Sequence, residues 1–260
     1  MTMPIFTLDE VPEVPLAHSP LVRVLGQVRY SRTPALASEE GEARLAELLT
    51  DYPVRRQGLS VEITLGPTPG SVEQIQTHVR TLADATQAWT LTVSETTLTL
   101  ETTAYVSRED FGTRMHKILS AVTQVAAPPV VDRVGVRYIN RFVGSNLENI
   151  TKIMTPSLCV LYGSVADGLE VEHTLSDTLL RTAADELLRA RSGLLPANGS
   201  FDLAIQPVDE KSWVLDIDMF TERTNVAFDL EGVCEQIRRY SNRAYSFFRY
   251  ATGSYYAQES

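Results

Sequence analysis

Cysteine is nearly absent from this sequence. Cys159 and Cys234 are the only two among 260 residues, and they stand far apart. A disulfide framework is therefore not expected, and both read as buried free thiols of a reducing compartment. Histidine is scarce as well, with His18, His78, His116 and His173 only. None stands at metal-ligand spacing from another histidine, a cysteine or an acidic cluster, so no metal site is expected. Long apolar runs are missing: none approaches the roughly 18 residues a membrane-spanning helix needs, which argues against membrane insertion. The opening MTMPIFTLDEVPEVPLAHSP has neither a basic start nor an apolar core, so no signal peptide is expected and the location reads as cytoplasmic. Positive charge is also short. Lys and Arg number 23 against 33 Asp and Glu, a formal net charge of -10. A field of that sign repels nucleic acid at long range and disfavours it as a partner.

Catalytic motifs are lacking too. GPTPGS at 66–71 has two glycines but no following lysine, so it is no P-loop, and no G-x-G-x-x-G occurs. Ser164 in YGSVADG lacks the G-x-S-x-G frame of a nucleophile elbow, and neither cysteine has a neighbouring histidine. No cofactor is expected, and the chain does not read as an enzyme.

What the sequence does contain is alternation. Pro4, Pro12, Pro15 and Pro20 make residues 1–20 an extended N-terminal arm. LVRVLGQVRY then begins a half-buried strand, with Val22, Val24, Val28 and Tyr30 on one face and Arg23, Gln27 and Arg29 on the other. Ser38 reads as the N-cap of a helix over 38–52 with a stripe of Leu45, Leu48 and Leu49. Four strands follow, GLSVEITLG, VEQIQTHVRTLA, WTLTV and TLTLETTAY, the last two joined by a short turn. Ser107 caps a second helix over 107–125, with Phe111, Met115, Ile118, Leu119 and Val122 buried, and Pro128-Pro129 closes it.

VVDRVGVRYINRF opens the second half with the same V-R-Y signature. Residues 146–164 read as helical or irregular around Pro156. Strands are expected over LEVEHTL (169–175), FDLAIQ (201–206) and SWVLDIDMF (212–220). Residues 182–193 fit a helix or a strand, and repetition of the first half favours the strand. The chain closes on a long amphipathic helix with a stripe of Leu230, Val233, Ile237, Tyr240, Ala244, Phe247, Phe248 and Ala251.

The order of elements predicts an α+β fold. Two tandem β-α-β4-α halves, 21–127 and 128–260, are expected to form a curved antiparallel sheet with helices on one side. This is the pseudo-twofold saddle plan of the TATA-binding-protein type. That likeness concerns architecture alone and carries no function. Two adjacent ferredoxin-like layers are the other arrangement the pattern admits.

Several stretches resemble a sporadically distributed family of bacterial proteins of about this length. They are the arm Pro15-Leu16 to Ser19-Pro20-Leu21-Val22, R-V-G-V-R-Y-I-N-R at 133–141, G-L-L-P at 193–196 and W-V-L-D-I-D-M-F at 213–220. The 133–141 segment is the most specific. The resemblance implies a bacterial cytoplasmic protein of an accessory system. It supplies no catalytic residues, because no activity is attached to that family.

Three groups of residues are candidates for function. Arg133, Arg137 and Arg141 lie on one strand face at intervals of about 13 Å, with Arg29 their counterpart in the first half. A guanidinium row either pairs with acids such as Asp216, Asp218 and Glu101 or receives an anionic ligand. Asp216 and Asp218 also share a face and, with Glu172 and His173, could in principle hold a cation; arginine pairing is the simpler reading. Finally, Tyr245, Phe248 and Arg249 belong to an aromatic and arginine-rich helix whose rings exceed what one buried face needs, which suits a dimer or partner surface. The expectation is a non-enzymatic protein-binding module, antitoxin-like or serving immunity or phage defence, with a protein partner or a second copy as ligand. The alternative is an enzyme or binding protein for a small anionic substrate on the arginine face.

Overall fold

Leu21–Tyr30 forms β1; Val24, Val28 and Tyr30 are buried and Arg29 is exposed, as the alternation predicts, but Val22, expected on the buried face, is 41% exposed. The structure, a computed structural model, describes residues 6–14, 16, 18–65, 72–166, 168–222, 225–253 and 255; the side chains of 60–65 and 72–75 lie outside the description. Pro4, Pro15, GPTPGS and Tyr256 therefore also fall outside it.

The further elements are α1 (Glu39–Leu48), β2 (Val54–Leu65), β3 (Val72–Ala83), β4 (Trp89–Val93), β5 (Thr97–Thr102) and α2 (Arg108–Ala126). They are followed by β6 (Val130–Phe142), α3 (Gly144–Glu148), α4 (Ile150–Ile153), β7 (Ser176–Ala183), β8 (Glu186–Leu195), β9 (Ser212–Thr221), β10 (Val226–Ala227) and α5 (Leu230–Thr252). The fold is α+β. Among the described residues ten strands form an antiparallel sheet with the order β2-β3-β4-β5-β1-β6-β9-β8-β7, and β10 pairs with β6 off this path. No helix among the described residues is long and apolar enough to cross a membrane.

The chain divides into two compact units. The first comprises Met1–Val24, Gly135–Thr221 and Arg238–Ser260; the second comprises Leu25–Val134 and Glu222–Ile237.

In the second unit, local chemistry sets the helix ends. The Ser38 hydroxyl accepts from the Gly41 N–H at 3.0 Å and the Ser107 hydroxyl from the Asp110 N–H at 3.1 Å, as N-caps do. The buried stripe of α2 is Phe111, Met115, Ile118, Leu119 and Val122. At Gly26 a Cβ would come 3.0 Å from the Phe111 ring, so the bare backbone leaves room for that ring against β1. β2 and β3 form a long hairpin from Val54↔Ala83 to Leu65↔Val72, and β3, β4 and β5 continue it. Cys234 of α5 is a half-buried free thiol whose pKa is pushed up to about 11, first by burial and then by Glu231 and Asp229.

In the first unit, β6, β9, β8 and β7 lie side by side. One face of these strands buries Phe142, Leu194, Trp213 and Leu215. The Trp213 indole N–H donates to the Ser192 hydroxyl at 3.0 Å, so its one polar atom is satisfied. Cys159 is a buried free thiol.

The second half departs from the predicted repeat in several places. Residues 169–175 and 201–206, expected as strands, have no regular strand structure. The ambiguous stretch 182–193 is instead a hairpin, β7–β8, with its turn at Ala184-Asp185. The Ser200 hydroxyl donates to the Asp202 and Ile205 carbonyls, and the Asp202 carboxylate accepts from the Ala204 N–H at 2.9 Å. These local bonds hold the backbone of 200–205 in turns and withdraw it from sheet pairing. Residues 146–164 contain α3, α4 and a 3-10 turn, Pro156–Leu158, which starts on its proline.

Candidate functional site

The polar face of the first unit is built by register. Arg137 on β6 stands opposite Asp218 on β9, and Asp218 stands opposite Arg189 on β8. One step along the same face, Asp216 stands opposite Arg191. Because side chains of period two share a face, positive and negative columns alternate across the strands. Asp177 of β7 adds the last column, accepting from Arg189 Nε at 2.9 Å.

The centre of this face is a four-membered ionic cluster. Arg137 donates to Asp216 through two bonds, Nε to Oδ1 at 2.7 Å and Nη2 to Oδ2 at 2.9 Å. Arg191 Nε donates to Asp216 Oδ2 at 2.9 Å. Asp202, carried by the loop after β8, accepts from Arg137 Nη1 at 3.2 Å and from Arg191 Nη2 at 3.1 Å. The Arg191 guanidinium also lies over the Phe201 ring, 4.8 Å from its centroid. Asp216 is only 1% exposed, so its charge is tolerable only because two guanidinium groups occupy both oxygens. Two cations and two anions sum to zero. Burial works against the charge on Arg137, but Asp216 and then Asp202 outweigh it and hold its pKa above the ordinary value. At Asp202, burial pushes upward, while the Ala204 N–H and the two arginines bring the net pKa below the usual carboxylate range.

Asp216 and Asp218 therefore do not stand ready as a cation pair, and His173 is exposed. Among the described residues no group of three or more His, Cys, Asp or Glu could hold a metal ion.

The predicted arginine row is distributed differently along the chain. Arg29 and Arg133 belong to the second unit; Arg29 is exposed and makes no ion pair among the described residues, while Arg133 Nη1 donates to the Gln27 side-chain oxygen at 2.7 Å. Arg137 and Arg141 belong to the first unit. Arg137 is neutralised as described. Arg141 is not: it is 8% exposed, has no acidic partner among the described residues, and its buried Nη1 makes no hydrogen bond. Burial alone lowers its pKa.

The predicted aromatic surface also lies in the first unit. Phe248 is 7% exposed and its ring stacks on Tyr245 at 6.2 Å. The Tyr245 hydroxyl accepts from the Val14 N–H at 2.9 Å and from Arg249 Nη1 at 3.4 Å. Phe6 packs edge-on against Phe247, 5.1 Å between centroids, and also meets Tyr250 at 5.6 Å. The Ser246 hydroxyl donates to the Asp9 carbonyl at 2.6 Å, and Asn242 donates to Glu10. Residues 6–14 thus lie along α5, where Tyr245, Phe247 and Tyr250 meet them. Arg239 and Arg243 of the same helix both pair with the buried Glu186 of β8.

Sequence reasoning missed Arg191 and Asp202. The signal for Arg191 was present: Arg189-Ala190-Arg191 places two cations on one strand face once 186–195 is recognised as a strand. Asp202 left no such trace, because its role depends on a loop crossing the sheet.

The first unit also concentrates exposed apolar side chains. Val160, Leu161, Val165, Leu169, Leu175 and Leu179 all come from the stretch 160–179. Leu161 is 69% exposed, Leu169 67% and Leu179 57%. This stretch is anchored at Tyr162, whose ring meets Trp213 at 5.4 Å, and at Thr174, whose N–H donates to the Leu194 carbonyl at 3.2 Å. It leads into β7, which ends the strand order and, among the described residues, pairs only with β8. No protein-family model matches the chain, and comparison with curated proteins returns no match.

Proposed function

We propose that the chain is a non-enzymatic protein-binding module that engages its partner through residues 160–179 and the outer edge of β7. The observation that carries the reading is the run of exposed Leu and Val in 160–179, next to a strand with one side unpaired among the described residues. Isolated exposed apolar residues are ordinary; a succession of them in a long segment with little regular structure is the signature of a contact surface. An edge strand offers unpaired backbone N–H and C=O groups to an incoming strand, and the side chains beside it select the partner. The resemblance carried by 133–141 extends the reading to an accessory bacterial system, with antitoxin-like, immunity or phage-defence roles and a cytoplasmic location. A second copy of the chain is one form the partner could take.

The same reading treats 21–127 and 128–260 as a duplicated saddle-type plan. In its support, the opening strand of each half, β1 or β6, neighbours that half's last long strand, β5 or β9, and each half closes on a long helix, α2 or α5. After its opening strand, the second half has three long strands and the two-residue β10 among the described residues, where the first has four.

Co-purification from the native host tests the function. Wild-type protein is expected to bring down a stoichiometric partner, and Leu161→Asp with Leu179→Asp is expected to lose it while remaining folded by circular dichroism. Recovery of the wild-type chain as a lone monomer, or retention of the partner by the double variant, would overturn the reading.

A further inference from the structure

Arg141 is held at its backbone, while its side chain has no acidic partner among the described residues. Its N–H donates to the Pro20 carbonyl at 2.7 Å, and its strand neighbour on β9 is Val214. The side chain therefore leaves a fixed point on a paired strand. Toward β9 its surroundings in register are apolar: Val214 lies opposite and Ile139 lies two residues back on the same face, both fully buried. The nearest carboxylate along that face in register is Asp216, opposite Ile139, and both its oxygens are already taken by Arg137 and Arg191. Arg141 is thus a buried cation with an unmet donor among the described residues, beside a cluster in which Arg137 and Arg191 both have their acids.

A buried guanidinium without a counter-ion is costly, and arginine cannot escape by losing its proton. A sequence under no other demand would place Met or Leu at 141, or an acid at 214. We propose that Arg141 is an anion-binding residue whose ligand is a single carboxylate group, held bidentately by the guanidinium fork. The charge count selects this class. One buried cation marks the position, which matches one negative charge, and a net charge of -10 opposes polyanions. The carboxylate could belong to a small organic acid or to the C-terminus of a peptide. This inference is independent of the docking surface at 160–179, since it rests on a different observation.

The test uses the full-length protein in chloride buffer at constant ionic strength. Acetate and N-acetylglycylglycine are titrated to tens of millimolar, with N-acetylglycylglycinamide and inorganic phosphate as controls, reading the melting temperature and the arginine Nε–H resonances. Both carboxylates are expected to raise the melting temperature and to move one arginine resonance, which disappears in Arg141→Lys; the amide and phosphate are expected to do neither. A stronger response to the peptide acid than to acetate assigns the site to a peptide terminus, and the reverse assigns it to a small acid. Arg141→Met is expected to melt higher than wild type in chloride and to show no carboxylate response. Absence of any carboxylate-dependent shift in wild type, or the same shift in Arg141→Lys and Arg141→Met, would overturn the proposal. The resonance titration stands on wild-type protein, so it decides the matter even where a variant fails to fold.

Discussion

Arg137 grips Asp216 through two parallel hydrogen bonds, 2.7 and 2.9 Å long, at a carboxylate that is 1% exposed. Geometry of this kind links the strands of the first unit more specifically than apolar packing alone, because the fork fits a carboxylate in one orientation only. Removing one partner leaves a buried charge. Asp216→Ala is expected to destabilise the protein by about 3–5 kcal/mol, measured by urea unfolding. Replacing the ions together, as in Arg137→Met with Asp216→Leu, is expected to cost clearly less than the sum of the single changes.

Asp202 makes this stability depend on acid. Its folded pKa lies below its unfolded value, so its contribution is fully present above the ordinary carboxylate pKa of about 3.9 and fades as pH falls through the lower folded value. Wild-type protein is expected to exceed Asp202→Asn in urea midpoint at neutral pH, and the gap is expected to close at the acid end of the folded range. A gap that is constant with pH would show that the carboxylate charge is not what matters.

Glycine substitutions separate two environments. Gly112 lies inside α2, and a Cβ there would meet nothing within 4 Å. Gly112→Ala is expected to stabilise by about 0.5–1 kcal/mol through helix propensity. At Gly193 a Cβ would fall 2.0 Å from the Thr174 carbonyl oxygen. Gly193→Ala is expected to destabilise by about 1–3 kcal/mol and to loosen the approach to β7, seen as faster amide exchange over 172–178.

Cys234 gives a chemical readout of burial. With its pKa raised to about 11, it is expected to alkylate slowly at neutral pH, with a rate still climbing above about pH 10. Rapid labelling at neutral pH by a neutral iodoacetamide reagent would contradict the placement of its thiol.

Much of the architecture was legible because it depends on period and punctuation. β1, the two helix caps at Ser38 and Ser107, α2, β6, β9 and α5 announce themselves through alternation, capping hydroxyls and a stripe at three to four residues. FDLAIQ alternates just as well, yet Ser200 and Asp202 hold its backbone in turns. Periodicity reports which side chains could share a face and is silent about local side-chain bonds that take the backbone elsewhere. The fate of each arginine was less legible still. Arg137 and Arg141 are equivalent by spacing, and only the strand opposite, with aspartate at 216 and valine at 214, makes one a structural ion and the other an orphan. Tyr245, Phe247 and Tyr250 of α5 likewise meet the chain's own residues 6–14, a pairing more than two hundred residues apart in sequence.

The central claim is that 160–179 and the edge of β7 form the partner surface. Amide hydrogen exchange of the chain, alone and with the partner recovered from the native host, tests it most directly. The account predicts protection on binding over 160–183, strongest in β7. Unchanged exchange there, with protection confined to other segments, would contradict it.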